Sequence, residues 1–435
     1  MAEASHRRVI AIALPIVISN ATVPILGAVD TGVVGQMGEA APIGAVGIGA
    51  IILASLYWIF GFLRMGTSGL VAQAHGARDR AEVSAGLIRA LLIAMAAGLA
   101  LIVLQIPLFA AAFRIAPASA AVEALARDYM ALRIWGAPAT IALYALTGWL
   151  IALERTRAVL VIQLWMNGLN VGLDLWFVLG LGLGVTGVAS ATLIAEWTGV
   201  VLALWLARDA FAGGYWRSAA LVLDKRRLLQ MARVNTDIMI RSVLLQASFT
   251  TFLFLGAGQG DVRLAANQIL LQFLEITAYA LDGFAFAAEA LVGQAVGARS
   301  ASGVRRASLI TSQWGAGGAL LLGVAFLLAG PQIIDLMTTA PEVRETARHY
   351  LPWLAIAPLI GVASWMFDGI FIGATLTREM RNAMFVSVTI YIAALGILVP
   401  AFGNHGLWAA LMVLNATRGL TMARLYPEAE ARARA

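Results

Sequence analysis

The strongest constraint on this chain is a rhythm: apolar runs of about twenty residues or more recur along it, separated mostly by short loops in which arginine is frequent. VIAIALPIVISNATVPILGAVDTGVVG, residues 9–35, is the first of them. A run of that length crosses the hydrocarbon core as a helix, because in lipid every backbone N–H and C=O must be bonded within the segment. The ten-residue alternation of an outer-membrane barrel is missing. Spans fall at 9–35, 43–74, 82–113, 122–152, 158–180 and 184–208, then at 230–257, 263–296, 304–330, 343–374, 381–402 and 405–424. Only 12% of the 435 residues are charged and 61% are hydrophobic, against roughly 25% charged in a soluble domain. The chain therefore reads as an all-α integral membrane protein with twelve transmembrane helices. The polar interruption RDAFAGGYWRSAALVLDKRR at 208–227 divides it into an N-terminal lobe 1–208, a linker 209–229 and a C-terminal lobe 230–435.

The formal charge of +6 is spread over loops instead of gathered into a patch, which argues against a nucleic-acid partner. Alternate loops differ sharply. One side collects Arg7, Arg8, Arg78, Arg80, Arg155, Arg157, Arg208, Lys225, Arg226, Arg227, Arg299, Arg305, Arg306, Arg378 and Arg381; the other holds mainly Arg114, Arg127, Arg263, Arg344 and Arg348. The rich side is cytoplasmic by the positive-inside rule, so both termini are expected there. The basic start followed by an apolar run imitates a signal peptide, but the run continues to Gly35 and reads as an uncleaved first helix. With no cysteine, disulfides and thiolate chemistry are excluded.

The halves resemble each other. VAQAHGAR (71–78) matches VGQAVGAR (292–299), Thr156-Arg157 matches Thr377-Arg378, and GVTGVASA (184–191) opens its helix much as GNHGLWAA (403–410) does. Each pair lies about 220 residues apart at the equivalent helix of its half. Six helices return the chain to its starting side, so the repeat is parallel and its axis is expected along the membrane normal.

Against this frame, intramembrane polar residues acquire a depth. A carboxylate at mid-bilayer costs about 2.5–3.5 kcal/mol on insertion scales and usually marks function. Asp30 lies near the outer end of the first helix. The fifth helix carries Gln163, Asn167, Asn170 and Asp174 at steps of four, three and four, one helical face. Asp174 and, on the sixth helix, Thr192 fall at the depth of Asp30. Two carboxylates in one partly dehydrated site repel, and desolvation opposes their charged forms, so such a pair can take up a proton or hold sodium. The eighth helix has a second stripe, Gln268, Gln272, Glu275, Asp282 and Glu289, and the tenth carries Asp368 in its inner half. Gln163, Asn167, Gln272, Glu275, Asp282 and Asp368 are candidates for lining a substrate cavity. Asp237 and Arg241, four apart, read as an intrahelical ion pair, and Glu196 stays ambiguous. Pro15 and Pro24 interrupt the first helix upstream of Asp30, either as a static kink or as a bending element.

Enzyme motifs are weak. GTSG (66–69) resembles an intramembrane serine-protease motif, but the four histidines lie at or near loops, leaving no base at mid-span. No Walker A motif or DDxxD cluster is present, so an intramembrane hydrolase is the least favoured reading.

LPIVISNATVPILGAVDTGVVGQMG resembles the opening helix of the multidrug and toxic compound extrusion (MATE) family, and NVGLDLWFVLGLGLGVTGVASAT (170–192) its fifth and sixth helices. NTDIMIRS (235–242) and FDGIFIGATLTREMRN (367–382) are similar to its DinF-like branch. The resemblance implies two six-helix lobes around a central cavity, and export of amphipathic, often cationic compounds by proton or sodium antiport. It gives cation-coupling roles, with sodium as an alternative occupant, to Asp30, Asn170, Asp174 and Thr192, and a hinge role to Pro15. Asp368 falls where other branches have a cation-site aspartate, but the matching seventh-helix glutamate is missing, which puts a C-lobe sodium site in doubt. The same resemblance implies no cofactor beyond the coupling ion, a monomer, and residence in the inner membrane of a prokaryote. A lipid-linked oligosaccharide flippase of the same superfamily is the alternative.

Overall fold

A computed structural model describes residues 4–36 and 39–434, with the side chains of residues 25–28, 30 and 31 also outside the described set. Among the described residues the secondary structure is helical throughout, with no strand. The spans are α1 (His6–Gly35), α2 (Ala40–Gly76), α3 (Arg80–Val103, prolonged by Gln105–Ile115), α4 (Ala120–Ala152), α5 (Thr156–Gly180) and α6 (Gly184–Leu206). They continue as α7 (Lys225–Ala257), α8 (Asp261–Gly297), α9 (Ala301–Met337), α10 (Pro341–Gly373), α11 (Thr377–Phe402) and α12 (Asn404–Arg432). Eleven of the described helices are long and apolar enough to cross a bilayer. The twelfth, α12, is 29 residues long but diluted by Asn404, His405, Asn415 and Arg418.

Local chemistry sets the ends and the breaks. Asp79 Oδ1 accepts from the Glu82 backbone N–H at 3.0 Å and starts α3; Ser300 Oγ does the same for Gly303 at 3.1 Å at the start of α9. The sequence reads the third span as unbroken, yet α3 breaks at Leu104. Pro107 has no N–H for the Val103 carbonyl, so the ladder is interrupted there. Pro138 likewise leaves the Ile134 carbonyl without its helical donor, beside a 3₁₀ turn at Ile134–Gly136 within α4. A second 3₁₀ turn, Ile59–Gly61, lies within α2.

Backbone contacts group the described chain into two compact units. One holds the chain up to Val17, Ala72–Arg78 and everything from Ala232 onward; the other holds Ile18–Val71 and Asp79–Met231. In the first unit, the opening turns of α1 pack on Gly283 of α8, where a Cβ would sit 2.7 Å from Ala13 O. Its largely aliphatic core holds two aromatic pairs: Phe252 stands edge-on to Trp408 at 4.7 Å, and Phe273 to Phe326 at 5.0 Å. α9 approaches α10 through Gly323, where a Cβ would lie 2.6 Å from Ala355 O. In the second unit, Gly49 of α2 receives the Tyr129 ring of α4. Such small-residue contacts hold helices together where lipid removes the hydrophobic drive.

The repeat is also written in the backbone. Arg78 and Arg299 have φ of 60° and 54°, and Glu154 and Thr375 have 59° and 53°. Each pair is 221 residues apart. All four follow helix ends, where a left-handed residue lets late backbone N–H groups satisfy the last carbonyls. At α10, the Gln73 side chain also donates to Gly373 O at 2.9 Å and Thr375 Oγ1 at 3.1 Å.

Candidate functional site

The polar face of α5 lies within the unit that holds Ile18–Val71 and Asp79–Met231. Its members are linked to α1 and α6. Gln163 Nε2 donates to Asn167 Oδ1 at 2.9 Å, one turn along the same helix. Asn167 Nδ2 donates to Thr22 Oγ1 of α1 at 2.8 Å, and that hydroxyl donates to Ser19 O at 2.7 Å. One turn further on, Asn170 is buried and its Nδ2 donates to Thr192 Oγ1 of α6 at 3.0 Å. The Thr192 hydroxyl in turn donates to Val188 O at 3.1 Å. Asp174 comes next and is fully buried. At Asp174 the regular α-helix ends, and Leu175–Gly180 continues as a π-turn. Single π-turns inserted in helices are frequent at functional sites, because the wider turn changes which side chains share a face.

The structure thus brings Asn170 and Thr192 into direct contact, with Asp174 one turn away. Asp30 lies in α1, but its side chain is outside the described residues. Pro15 is buried within the helix, and the two units divide α1 between Val17 and Ile18. The sequence pattern missed Thr22, whose small hydroxyl looks like an ordinary helix-packing group until α5 is placed beside it.

Glu196 of α6 finds its partner in Arg133 of α4: both are buried, and Arg133 Nη1 donates to Glu196 Oε2 at 2.7 Å. Tyr57 of α2 donates its hydroxyl to Arg133 O at 3.2 Å, tying in the end of that helix before its 3₁₀ turn. In low dielectric an unpaired carboxylate or guanidinium is very unfavourable, so each side chain needs the other where it is buried.

The C-terminal candidates do not converge. Gln272 and Glu275 are exposed on α8 and Asp282 is half-buried. Asp368 is buried, and its Oδ2 accepts from Arg241 of α7 and from Arg418 of α12, the latter at 2.7 Å. Among the described residues its hydrogen bonds go to α7 and α12, and none goes to α8. Two guanidiniums on one carboxylate leave no negative charge to attract a cation. The intrahelical pair expected between Asp237 and Arg241 is replaced by interhelical ones. Asp237 Oδ1 accepts from Arg381 of α11 at 2.6 Å, while Arg241 bonds Asp368. Inside a bundle a facing helix can offer an oppositely charged partner in better geometry than the next turn of the same helix.

The serine motif has no chemistry: Ser68 is fully buried and its Oγ has no hydrogen-bond partner among the described residues. A nucleophile needs a base.

The sequence model of the MatE family matches residues 15–176 and, a second time, 238–398. The chain belongs to the MatE family. It is 40% identical over 419 residues to the DNA damage-inducible protein F of Escherichia coli K12, covering 95% of this chain and 90% of that protein. A protein described as probable multidrug resistance protein NorM, from Bradyrhizobium diazoefficiens, is 27% identical over 396 residues, 86% of this chain and 80% of its own. A crystal structure of a MATE protein in the bent conformation superposes with a TM-score of 0.87 at 19% identity, over 98% of this chain and 96% of that one. The twelve-helix arrangement is that of MATE transporters, and one match of the family model falls in each half of the repeat. The protein is a membrane transporter and not an enzyme.

Proposed function

We propose that this MatE transporter is a secondary active exporter, carrying amphipathic, often cationic organic compounds outward in exchange for protons, or for sodium, by alternating access. The observation that carries the reading is Asp174: a fully buried carboxylate where α5 turns from α to π, one turn past the Asn170–Thr192 bond. A carboxylate in such a place is stabilised by taking up a cation. Asp30 on α1 is the second coupling carboxylate, and Asn170 and Thr192 are its polar supports. Pro15 is the point about which α1 bends as the charge changes. Cation and substrate must favour different conformations, or no exchange follows. The multidrug resistance name carried by the NorM relative supports organic substrates. The arginine-rich loops support an inner-membrane orientation with both termini cytoplasmic. The working unit is a monomer of two six-helix lobes joined by the linker 209–229.

The test is efflux of an organic cation from proteoliposomes, driven first by a proton gradient alone and then by a sodium gradient alone. One gradient should suffice, and Asp174→Asn and Asp30→Asn should each abolish the driven efflux while thermal melting of the purified protein is retained. Driven efflux that survives both substitutions overturns the coupling assignment.

A further inference from the structure

The segment between α6 and α7 reads in sequence as a polar linker, yet it is folded. Asp209–Ala212, Tyr215–Arg217 and Ala219–Val222 form three short turns. They are strapped to α3: Ser84 Oγ donates to Ala210 O at 2.5 Å. Arg89, buried on α3, donates through Nε to Val222 O at 2.9 Å and through Nη2 to Leu221 O at 2.7 Å. Glu82 accepts from Arg89 Nη1 at 2.6 Å. A buried arginine spending its fork on two backbone carbonyls and a carboxylate fixes the strap in place.

The strap lies where membrane spans end: α4 stops at Ala152, α5 begins at Thr156 and α6 stops at Leu206. There the surface forms a depression of about 550 Å³ lined by Arg155, Leu206, Arg208, Asp209 and Ala212. Arg155 makes a two-pronged pair with Asp209. Arg208 lies 4.6 Å over the ring of Trp205, which is 59% exposed. Among the described residues the Arg208 guanidinium makes one hydrogen bond, Nη1 to Trp205 O at 3.0 Å, which leaves Nε and Nη2 as donors. Two guanidiniums face one carboxylate, so the depression is net positive; Leu206, at the end of a span, lines it, and the exposed Trp205 lies against Arg208.

We propose that this depression binds the phosphate of an anionic glycerophospholipid. Arg208 is the phosphate ligand, and Trp205 and Leu206 lie along the first carbons of the acyl chains. A guanidinium fork matches phosphate oxygens, basic residues beside a span attract anionic lipid, and tryptophan settles at the headgroup level. Arg155 acts by neutralising Asp209, which would otherwise repel the phosphate. Inorganic phosphate offers the same anion without chains to fill the apolar rim, so the lipid is the occupant. The site is independent of the transport reading above.

The test uses the full-length protein in phosphatidylcholine nanodiscs doped with phosphatidylglycerol, with retained lipid counted by native mass spectrometry. Wild type should retain phosphatidylglycerol in preference, and Arg208→Ala should cut that preference about fivefold. Arg208→Lys should keep part of it. Arg217 lies over Trp216 at 4.8 Å, outside the depression, so Arg217→Ala should leave the preference as in wild type. An unchanged preference in Arg208→Ala, or an equal loss in Arg217→Ala, overturns the site. Displacement of phosphatidylglycerol by millimolar inorganic phosphate overturns the lipid assignment in favour of a soluble anion.

Discussion

Asn170 of α5 donates its side-chain N–H to the hydroxyl of Thr192 on α6 across 3.0 Å, joining two helices at the turn that precedes buried Asp174. The bond fixes the rotation of α5 next to its π-turn, and so fixes where the carboxylate points. Thr192→Val keeps the shape but removes the acceptor. A buried donor left without its acceptor costs about 1–3 kcal/mol. Thr192→Val should therefore lower the melting temperature of the purified protein and weaken driven efflux, and Thr192→Ser should restore both. A variant with valine that melts and transports like wild type shows the bond to be dispensable.

Arg133 and Glu196 are a sharper case, because each is buried opposite the other. Removing one partner strands the other charge in low dielectric, at about 3–5 kcal/mol, whereas replacing both with apolar side chains of similar volume is often neutral. Glu196→Ala should sharply reduce folded protein recovered from membranes. The double variant Arg133→Met with Glu196→Leu should recover most of it, measured as monodisperse yield and melting temperature. A double variant as poor as the single one shows that the pair does more than satisfy charge.

These examples mark what a sequence carries. The α5 face is legible because steps of four, three and four can only mean one side of a helix, and apolar run length sets the spans. Partners on other helices leave no such trace. Glu196 lies 63 residues from Arg133, and nothing in the pattern of either helix names the other. Local spacing even points the wrong way at Asp237 and Arg241, since proximity along one helix is visible and a better partner across the bundle is not. The break at Leu104 was readable from Pro107, but hydropathy alone runs straight through it. The folded strap after α6 is hidden because polar composition looks the same whether a segment is loose or bonded to a neighbour.

Outside the spans, Asp209 provides a pH marker. The hydrogen bond from Arg155 and its positive charge hold the Asp209 carboxyl below the usual carboxylate range. A carboxyl lowered in the folded state adds stability above its unfolded pKa, and that contribution fades as pH falls through the folded value. The group is largely exposed, so the contribution is small. Melting temperature should thus drop slightly more steeply below about pH 4 in wild type than in Arg155→Ala. Parallel curves for the two proteins show that the pair contributes nothing to stability.

Asp368 separates a structural carboxylate from a cation site. In the fold it accepts from both Arg241 and Arg418, so its negative charge is already matched twice over. Asp368→Asn would leave two buried guanidiniums facing a neutral amide, and a buried charge without its counter-charge is strongly destabilising. The expected result is a large fall in melting temperature, with the surviving protein keeping the same preference between proton and sodium gradients. Asp368→Glu keeps the charge but moves it by one methylene, and should fall between the two in stability. A cation site at this position predicts the reverse: Asp368→Asn would melt like wild type or higher, because burying a neutral amide is easier than burying an ion, while the cation dependence of efflux would change.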